Sequence, residues 1–431
     1  MSHNERLARK AFDAALRAGH PAEITRAAIA NLTKTPTAIV ALGKAAAAMA
    51  QAARDTGLTA PGVMVTNDEN YAEIDGMHCF ASAHPVPDER GLAASAAILA
   101  LVDGLGAADH LLLLISGGGS ALVPAPPAGL SLADKQQLNA ALLASGMDIH
   151  EMNVVRRLFS DLKGGRLARR AFPAQITQFL LSDVPGDRLE SIASGPAVPD
   201  PVPFEDAVAL MTANGLMELP FVAPHLDQLR AGKIDGPLRP HDPETSHIRS
   251  HILASNNLCQ STARATLAPA APVTMLLPPL TGDVRDCAVA LADAVCSEAV
   301  SCSGPVNFGV TGGETTVQLC AAPTGLGGRS QELALLFARE MHNRANAPAQ
   351  WVVLAGGTDG RDGPTDAAGA VITSEHPFDA VAAETALGQH DVYHFLHERN
   401  QLLVVEPTGT NLGDLVIIAT AELQPERSDN G

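Results

Sequence analysis

"HLLLLISGGGSALVPAP", residues His110–Pro126, sets an unbroken apolar run directly against three glycines flanked by Ser116 and Ser120. Large apolar residues without alternation suit a strand covered on both faces, as in parallel sheets. The glycines allow close approach and left-handed backbone, so successive N–H groups can converge on an anion while the serines add hydroxyls. A tight strand-to-helix turn suits the same composition.

Similar runs recur on both sides. "TAIVALG" (37–43), "GVMVT" (62–66), "ITQFLLSD" (176–183), "SHILAS" (250–255), "PVTMLL" (272–277), "VNFGVTGG" (306–313), "WVVLAGG" (351–357) and "LVIIAT" (415–420) read as buried strands. Helical spacing fills segments such as 88–103, 131–145, 205–218, 283–300, 330–345 and 377–388. This alternation predicts an α/β fold of two domains with mainly parallel sheets flanked by helices. The polar, Pro- and Gly-rich stretch 223–249 marks the boundary, giving expected domains at 1–240 and 241–431.

Composition narrows the function. Of 431 residues 46% are hydrophobic, 18% charged and only 3% aromatic, so the cores are built from Ala, Leu, Val and Ile. A net charge of −18 excludes a nucleic-acid or anionic-membrane surface. No apolar run approaches the roughly 18 residues of a membrane span. The mixed-charge, amphipathic start "MSHNERLARKAFDAALRAG" is not a targeting peptide, and a cytoplasmic protein is expected. The six cysteines (Cys79, Cys259, Cys287, Cys296, Cys302 and Cys320) form no C-x-x-C pair and read as reduced thiols. Lysines number only six, so each one beside a glycine loop is informative.

Lys44, in "ALGKAAAAMA", opens an Ala-rich helix where the macrodipole disfavours a cation, so a substrate phosphate or carboxylate would offset it; a snorkelling surface lysine is the alternative. "EMNVVRRLFSDLKGGRLA" (151–168) gathers Asn153, Arg156, Arg157, Lys163 and Arg166. Arg156 and Lys163 share a face if one helix spans both, and a solvated basic face is the plainer reading. Asp183, in "FLLSDVPGD", and Asp359, in "GGTDGRDGPTDAAGA", follow strands and suit either Mg²⁺ or turn hydrogen bonds. "VTGGETT" supplies Gly312, Gly313, Glu314 and Thr315 as a second glycine cradle. Arg329, in "GLGGRSQELAL", begins a helix whose free N–H groups and guanidinium could together face phosphate. Two cradles, scarce cations and strand-end carboxylates are the parts of phosphoryl transfer. No G-x-G-x-x-G, Walker loop or G-x-S-x-G elbow is present.

These motifs, with "AHPVPDERG", "ISGGGSALVPAP", "IASGPAVPDP" and "PTGTNLGDL", resemble the type II glycerate 2-kinases that carry a C-terminal MOFRL domain, a family also known as hydroxypyruvate reductases. The resemblance spans nearly the whole chain. It implies a Rossmann-like N-terminal domain, a C-terminal domain with the MOFRL region at about 305–424, and ATP-dependent phosphorylation of D-glycerate to 2-phospho-D-glycerate in an interdomain cleft, with Mg²⁺ or another divalent ion. By motif it makes Lys44 and Arg329 the catalytic residues. Within it, Ser116, Gly117, Gly118, Gly119, Ser120, Asn153 and Arg156 are expected to hold substrate, Gly312, Gly313, Glu314 and Thr315 the nucleotide, and Asp183 and Asp359 the metal. A homodimer is compatible with this reading. The rivals are an NAD(P)H-dependent hydroxypyruvate reductase and a kinase for another small hydroxy acid.

The chain also departs from the family pattern. Thr66–Asn70 replaces a basic T-K-Y-G-H stretch, Leu158 stands where the N-T-V-R-K-H motif has histidine, His390–Tyr393 replaces N-D-S-Y, and Glu406 precedes Pro407.

Overall fold

The computed structural model describes residues 1–298, 306–319 and 325–421. Cys302 and Cys320 lie outside them; the other four cysteines are free thiols. The described chain forms two compact units, Pro21–Leu253 and Met1–His20 joined by Ala254–Gly431.

The first unit holds strands β1 (Ala38–Leu42), β2 (Gly62–Asn67), β3 (Met77–Ser82), β4 (His110–Ile115), β5 (Gln175–Ser182) and β6 (Ile248–Ser255), in the order β3-β2-β1-β4-β5-β6. The pairings from β3 through β5 are parallel. All of β1 and β4 is buried, which accounts for their continuous apolar runs. Each leucine of β4 contributes roughly 1.5–3 kcal/mol by burial. The chain winds outward from β1 to β3 and then restarts at β4 on the other side of β1. That reversal opens a crevice at the carboxyl ends of β1 and β4, the place where open α/β sheets bind ligands. A separate helical core, with Leu138, Leu142, Val155, Phe159, Met211 and Leu226 at its centre, stands beside the sheet.

The second unit contains β7 (Leu280–Asp283), β8 (Val306–Thr316), β9 (Gln350–Gly357), β10 (Gly369–Thr373), β11 (Leu402–Leu403) and β12 (Asp414–Ala421), ordered β11-β10-β9-β12-β8-β7. This sheet is mixed: β7 runs parallel to β8, whereas β8–β12, β12–β9, β9–β10 and β10–β11 are antiparallel. The predicted strand 272–277 makes only the Met275–Gly309 bridge, because Pro272, Pro278 and Pro279 cannot donate to a ladder. Helix His3–Ala18 buries Ala8, Ala11, Phe12 and Ala15 in this unit, packing on helix Asn256–Leu267, so the chain's first twenty residues fold with its C-terminal half. The boundary falls at 253/254, beyond the polar stretch, part of which is helix Val222–Arg230. Helix Arg329–Asn343 is buried at every residue from Ser330 to Ala338.

Candidate active site

In the first unit the two strand ends at the crevice are tied together. Lys44 N donates to Gly117 O (2.9 Å), Ala45 N to Ser116 Oγ (2.9 Å) and Thr66 Oγ1 to Lys44 O (3.3 Å). Ser116, 3% exposed, therefore holds the turn that carries Lys44. Two glycines serve close approach. Gly117 lies against the Asp183 carboxylate with no room for a Cβ. Gly118, at φ +83°, has Lys44 Cγ 3.2 Å and His84 Cδ2 3.5 Å from where its Cβ would be. What lies against the bare backbone of the opening stretch is thus a lysine and an aspartate. Partial burial, and secondly the Lys44 ammonium, hold His84 below the usual imidazole range, so it is neutral near pH 7.

Beside this loop is a cavity of about 210 Å³ whose polar lining includes Ser120, Asn139, Arg156, Lys135 and Lys163. Arg156 Nη2 donates to Asn139 Oδ1 (2.7 Å) and Nη1 to Asn153 Oδ1 (3.4 Å). Asn153 Oδ1 also accepts from Ser194 Oγ (3.2 Å), which is 2.7 Å from Ser120 Oγ. Ala193 and Ser194 adopt φ of 50° and 58°, and Gly164 N fixes the turn by donating to Ser194 O (3.0 Å). Such backbone persists only where its surroundings over-determine it.

Charge in this region is unbalanced. Lys135 Nζ donates to Phe159 O (2.7 Å), and Arg166 donates to Ser160 O (2.7 Å) while lying 3.6 Å from Asp161. Burial first, then Arg156 and Arg166, push Lys135 down to about 7; burial lowers Arg156, and takes Arg166 to about 10. Burial followed by Lys135 and Arg156 sets Lys163 well below the ordinary lysine value. Basic side chains gathered without enough carboxylates describe a site built for an anion.

The structure corrects the reading of the basic segment. Helix Ile149–Leu158 ends before Lys163, which reaches the cavity from the following turn and not from a shared helix face. Arg157 is not part of the cluster: its Nε and Nη2 both lie 3.0 Å from the buried Asp200 carboxylate. Leu158, in place of a family histidine, is a core residue whose carbonyl accepts from His225 Nε2 (2.9 Å). Asp68, in the acidic Thr66–Asn70 stretch, pairs with Arg90 at 2.6 Å on the surface.

In the second unit Arg329 is already engaged. Its Nε and Nη2 bond Asp414 at 2.7 and 3.1 Å, and its Nη1 bonds Glu314. Asp414, 2% exposed, is pushed up to about 6 by burial, against which Arg329 acts. The helix that Arg329 begins does not have free N–H groups at its start, because Ser330 N and Gln331 N donate to Asp362 (3.0 and 2.7 Å). Gly312 and Gly313 are not a loop after a strand but part of β8, paired with Leu415 and Asp414 of β12. At Gly312 the Asn256 side chain fills the place of a Cβ, and its Nδ2 donates to Leu412 O and Asp414 O (both 2.9 Å). Thr315 Oγ1 is buried with no hydrogen-bond partner among the described residues. Asp359 Oδ1 accepts from Arg361 N (3.0 Å) in the loop after β9. Among the described residues no cluster of three or more His, Cys, Asp or Glu side chains is arranged to hold a metal.

Asp362 gives a pH prediction. Burial raises its carboxyl to about 7, against about 4 when unfolded. The folded protein therefore keeps the proton between those values, and the stability linked to it is present below about pH 4 and lost as pH rises through 7. Asp362→Asn abolishes that loss, so its melting temperature relative to wild type is expected to climb from pH 5 to pH 8. A difference that stays constant over this range would contradict the assignment.

Sequence reasoning missed Lys135, Asn139, Ser194 and Asp414. Lys135 and Asn139 sit in an ordinary helical pattern, and only the scarcity of lysine pointed to the former. Ser194 and Asp414 lie within "IASGPAVPDP" and "PTGTNLGDL", but a strained serine and a buried ion pair leave no local mark.

Comparison with known proteins agrees with this architecture. A family described as a domain of unknown function, DUF4147, matches residues 7–226, and the MOFRL family matches residues 308–414. A D-glycerate 2-kinase of Thermotoga maritima is 33% identical over 96% of this chain and 97% of its own. An Agrobacterium vitis protein provisionally named a hydroxypyruvate reductase is 36% identical over 94% of this chain and 92% of its own. The crystal structure of a Thermotoga maritima glycerate kinase superposes with a TM-score of 0.83 at 32% identity, covering 96% of this chain and 99% of that one. With DUF4147 and MOFRL regions in order and full-length kinase relatives, the chain belongs to the glycerate kinase family that carries a MOFRL domain.

Proposed function

We propose that the protein transfers the γ-phosphoryl group of ATP to the 2-hydroxyl of D-glycerate, forming 2-phospho-D-glycerate. The observation that carries this reading is a small cavity beside Lys44 and the glycine loop, lined by the basic side chains of buried Lys135 and Lys163 and partly buried Arg156, with no carboxylate among its described lining residues. Arg156, oriented by Asn139 and Asn153, takes the substrate carboxylate, and Ser120 with the Gly117–Gly119 backbone borders the reacting end. Lys44 supplies positive charge to the transferring phosphoryl group, where catalysis is mainly positioning and electrostatic stabilisation. To the nucleotide we assign, within the second unit, Arg329 with Glu314, the orphan hydroxyl of Thr315, Gly312, which brings its strand against Asn256, and Gly313, which brings it against Leu280. A divalent ion carried by ATP needs only one or two protein carboxylates and supplies charge shielding. Asp183, held against Gly117, fits that need, and Asp359 is the corresponding strand-end carboxylate of the other unit. ATP as donor suits a cytoplasmic enzyme.

The test is incubation with ATP and D-glycerate, followed by enolase alone. Formation of phosphoenolpyruvate is expected, since enolase acts on the 2-phosphate. ADP release without phosphoenolpyruvate would move the transfer to another hydroxyl or acid. No ADP, with NADH consumed on hydroxypyruvate, would replace the kinase by the reductase.

Arg156→Ala removes a charge-assisted contact worth about 1.5–3 kcal/mol. KM for glycerate is expected to rise about ten- to a hundredfold, with KM for ATP unchanged. Equal shifts in both constants would detach Arg156 from the acid.

A further inference from the structure

Lys163 is a cavity residue to which no role has yet been given. It is 2% exposed, it lines the cavity, and its Nζ makes no hydrogen bond among the described residues. The neighbouring basic side chains differ: Lys135 has a carbonyl, partly buried Arg156 two amide oxygens, and Arg166 two carbonyls and Asp161. On a side chain this deeply buried, burial disfavours the ammonium and, together with Lys135 and Arg156, sets the lysine well below its ordinary value. The groups around Lys163 reinforce this. Lys135 comes from helix Leu132–Ala144, Arg156 from helix Ile149–Leu158, and exposed His84 from the loop after β3. Asp161, the one carboxylate of the turn, is 34% exposed and faces Arg166. The turn is also fixed against the candidate site, since Gly164 N and Gly165 N donate to Ser194 O (3.0 Å) and Gly195 O (2.8 Å), and Ser194 Oγ meets Ser120 Oγ.

We propose that Lys163 is the general base of the transfer, its neutral amine accepting the proton of the attacked substrate hydroxyl. The proposal rests on the kinase reading above. The hydroxyl O–H bond breaks as an N–H bond forms on Nζ, and the oxygen bonds to the γ-phosphorus. The bond from that phosphorus to the bridging oxygen breaks, and its electron pair leaves with ADP. The new ammonium then faces the product's phosphate, and its proton returns to solvent after product departs. A lysine lowered towards neutrality by burial and neighbouring cations is a known means of making such a base. Its direction matches Lys163.

Three variants test it: Lys163→Met, Lys163→Arg and Lys163→Ala. Wild type must first yield ADP and an enolase-competent product; if it does not, the kinase reading fails before the base is at issue. General-base loss is expected to lower kcat in Lys163→Met by at least about a hundredfold, with KM for glycerate within about threefold. Lys163→Arg, a permanent cation, stays equally slow. Added primary amines restore turnover in Lys163→Ala more strongly as their basicity rises, a response that only a folded site lacking a base gives. The acidic limb of the wild-type kcat/KM profile disappears in the variants. Lys163→Arg with near-wild-type turnover would make the residue an electrostatic contact and overturn the proposal, as would an unchanged acidic limb in Lys163→Met. If Lys163→Met loses its melting transition, Lys163→Gln takes its place under the same criteria.

Discussion

Lys44→Ala is expected to lose about 10²–10³ in kcat while keeping the wild-type melting transition. The lysine's position is set by its backbone, which bonds to Gly117 and Thr66, and by Ser116 through Ala45. None of these bonds involves its side chain, so removing the side chain leaves the turn intact. What disappears is a compact positive charge at the carboxyl ends of β1 and β4, where the charge of a phosphoryl group would otherwise be uncompensated. Lys44→Arg is expected to restore only a small part of the rate. Its broad planar fork must be accommodated beside Gly118, where the lysine chain and His84 both lie within about 3.5 Å of where a Cβ would stand. Turnover within about threefold of wild type in Lys44→Ala would remove this residue from the chemistry.

Arg329→Ala is expected to fall by on the order of 10³ in kcat, and, unlike Lys44→Ala, to lose stability as well. Arg329 is the partner of Asp414, whose side chain is 3% exposed and receives both Nε and Nη2. Breaking such a pair from one side strands a buried carboxylate, at a cost of about 3–5 kcal/mol in fully buried cases and less here because Arg329 is 30% exposed. The two losses are separable. Arg329→Ala combined with Asp414→Asn removes the stranded charge, so stability is expected to recover substantially while turnover does not. Recovery of both together would make Arg329 a structural residue. Activity retained in Arg329→Ala would have the same consequence for its catalytic role.

The sequence exposes those parts of the molecule whose physics is local. The buried runs of β1 and β4 are legible because strands covered on both faces tolerate little but apolar residues, and the glycines after β4 because Asp183 fills the place of a Cβ at Gly117 and Gly118 needs left-handed backbone. β3 is an edge strand in "MHCFAS", with His78 exposed, and lacks such a run. β10, "GAVIT", follows so closely on the aspartate-rich loop that it reads as the loop's tail, while its register on β9 comes from a long-range hairpin. The helix N-terminus at Arg329 reads as vacant because its occupant, Asp362, is thirty-two residues away. The cavity is hidden for the same reason. Lys135, Arg156 and Lys163 arrive from two helices and a turn, and each is an unremarkable surface residue in its own stretch of chain.

A crystal structure with D-glycerate, supplemented by a non-hydrolysable ATP analogue, tests the placement of the hydroxy acid most directly. The expected density lies in the cavity of the Pro21–Leu253 unit, with the carboxylate on Arg156 and the 2-hydroxyl within hydrogen-bond reach of Lys163 Nζ. An empty cavity, with glycerate bound in the other unit beside Arg329, Glu314 and Asp359, would contradict the account.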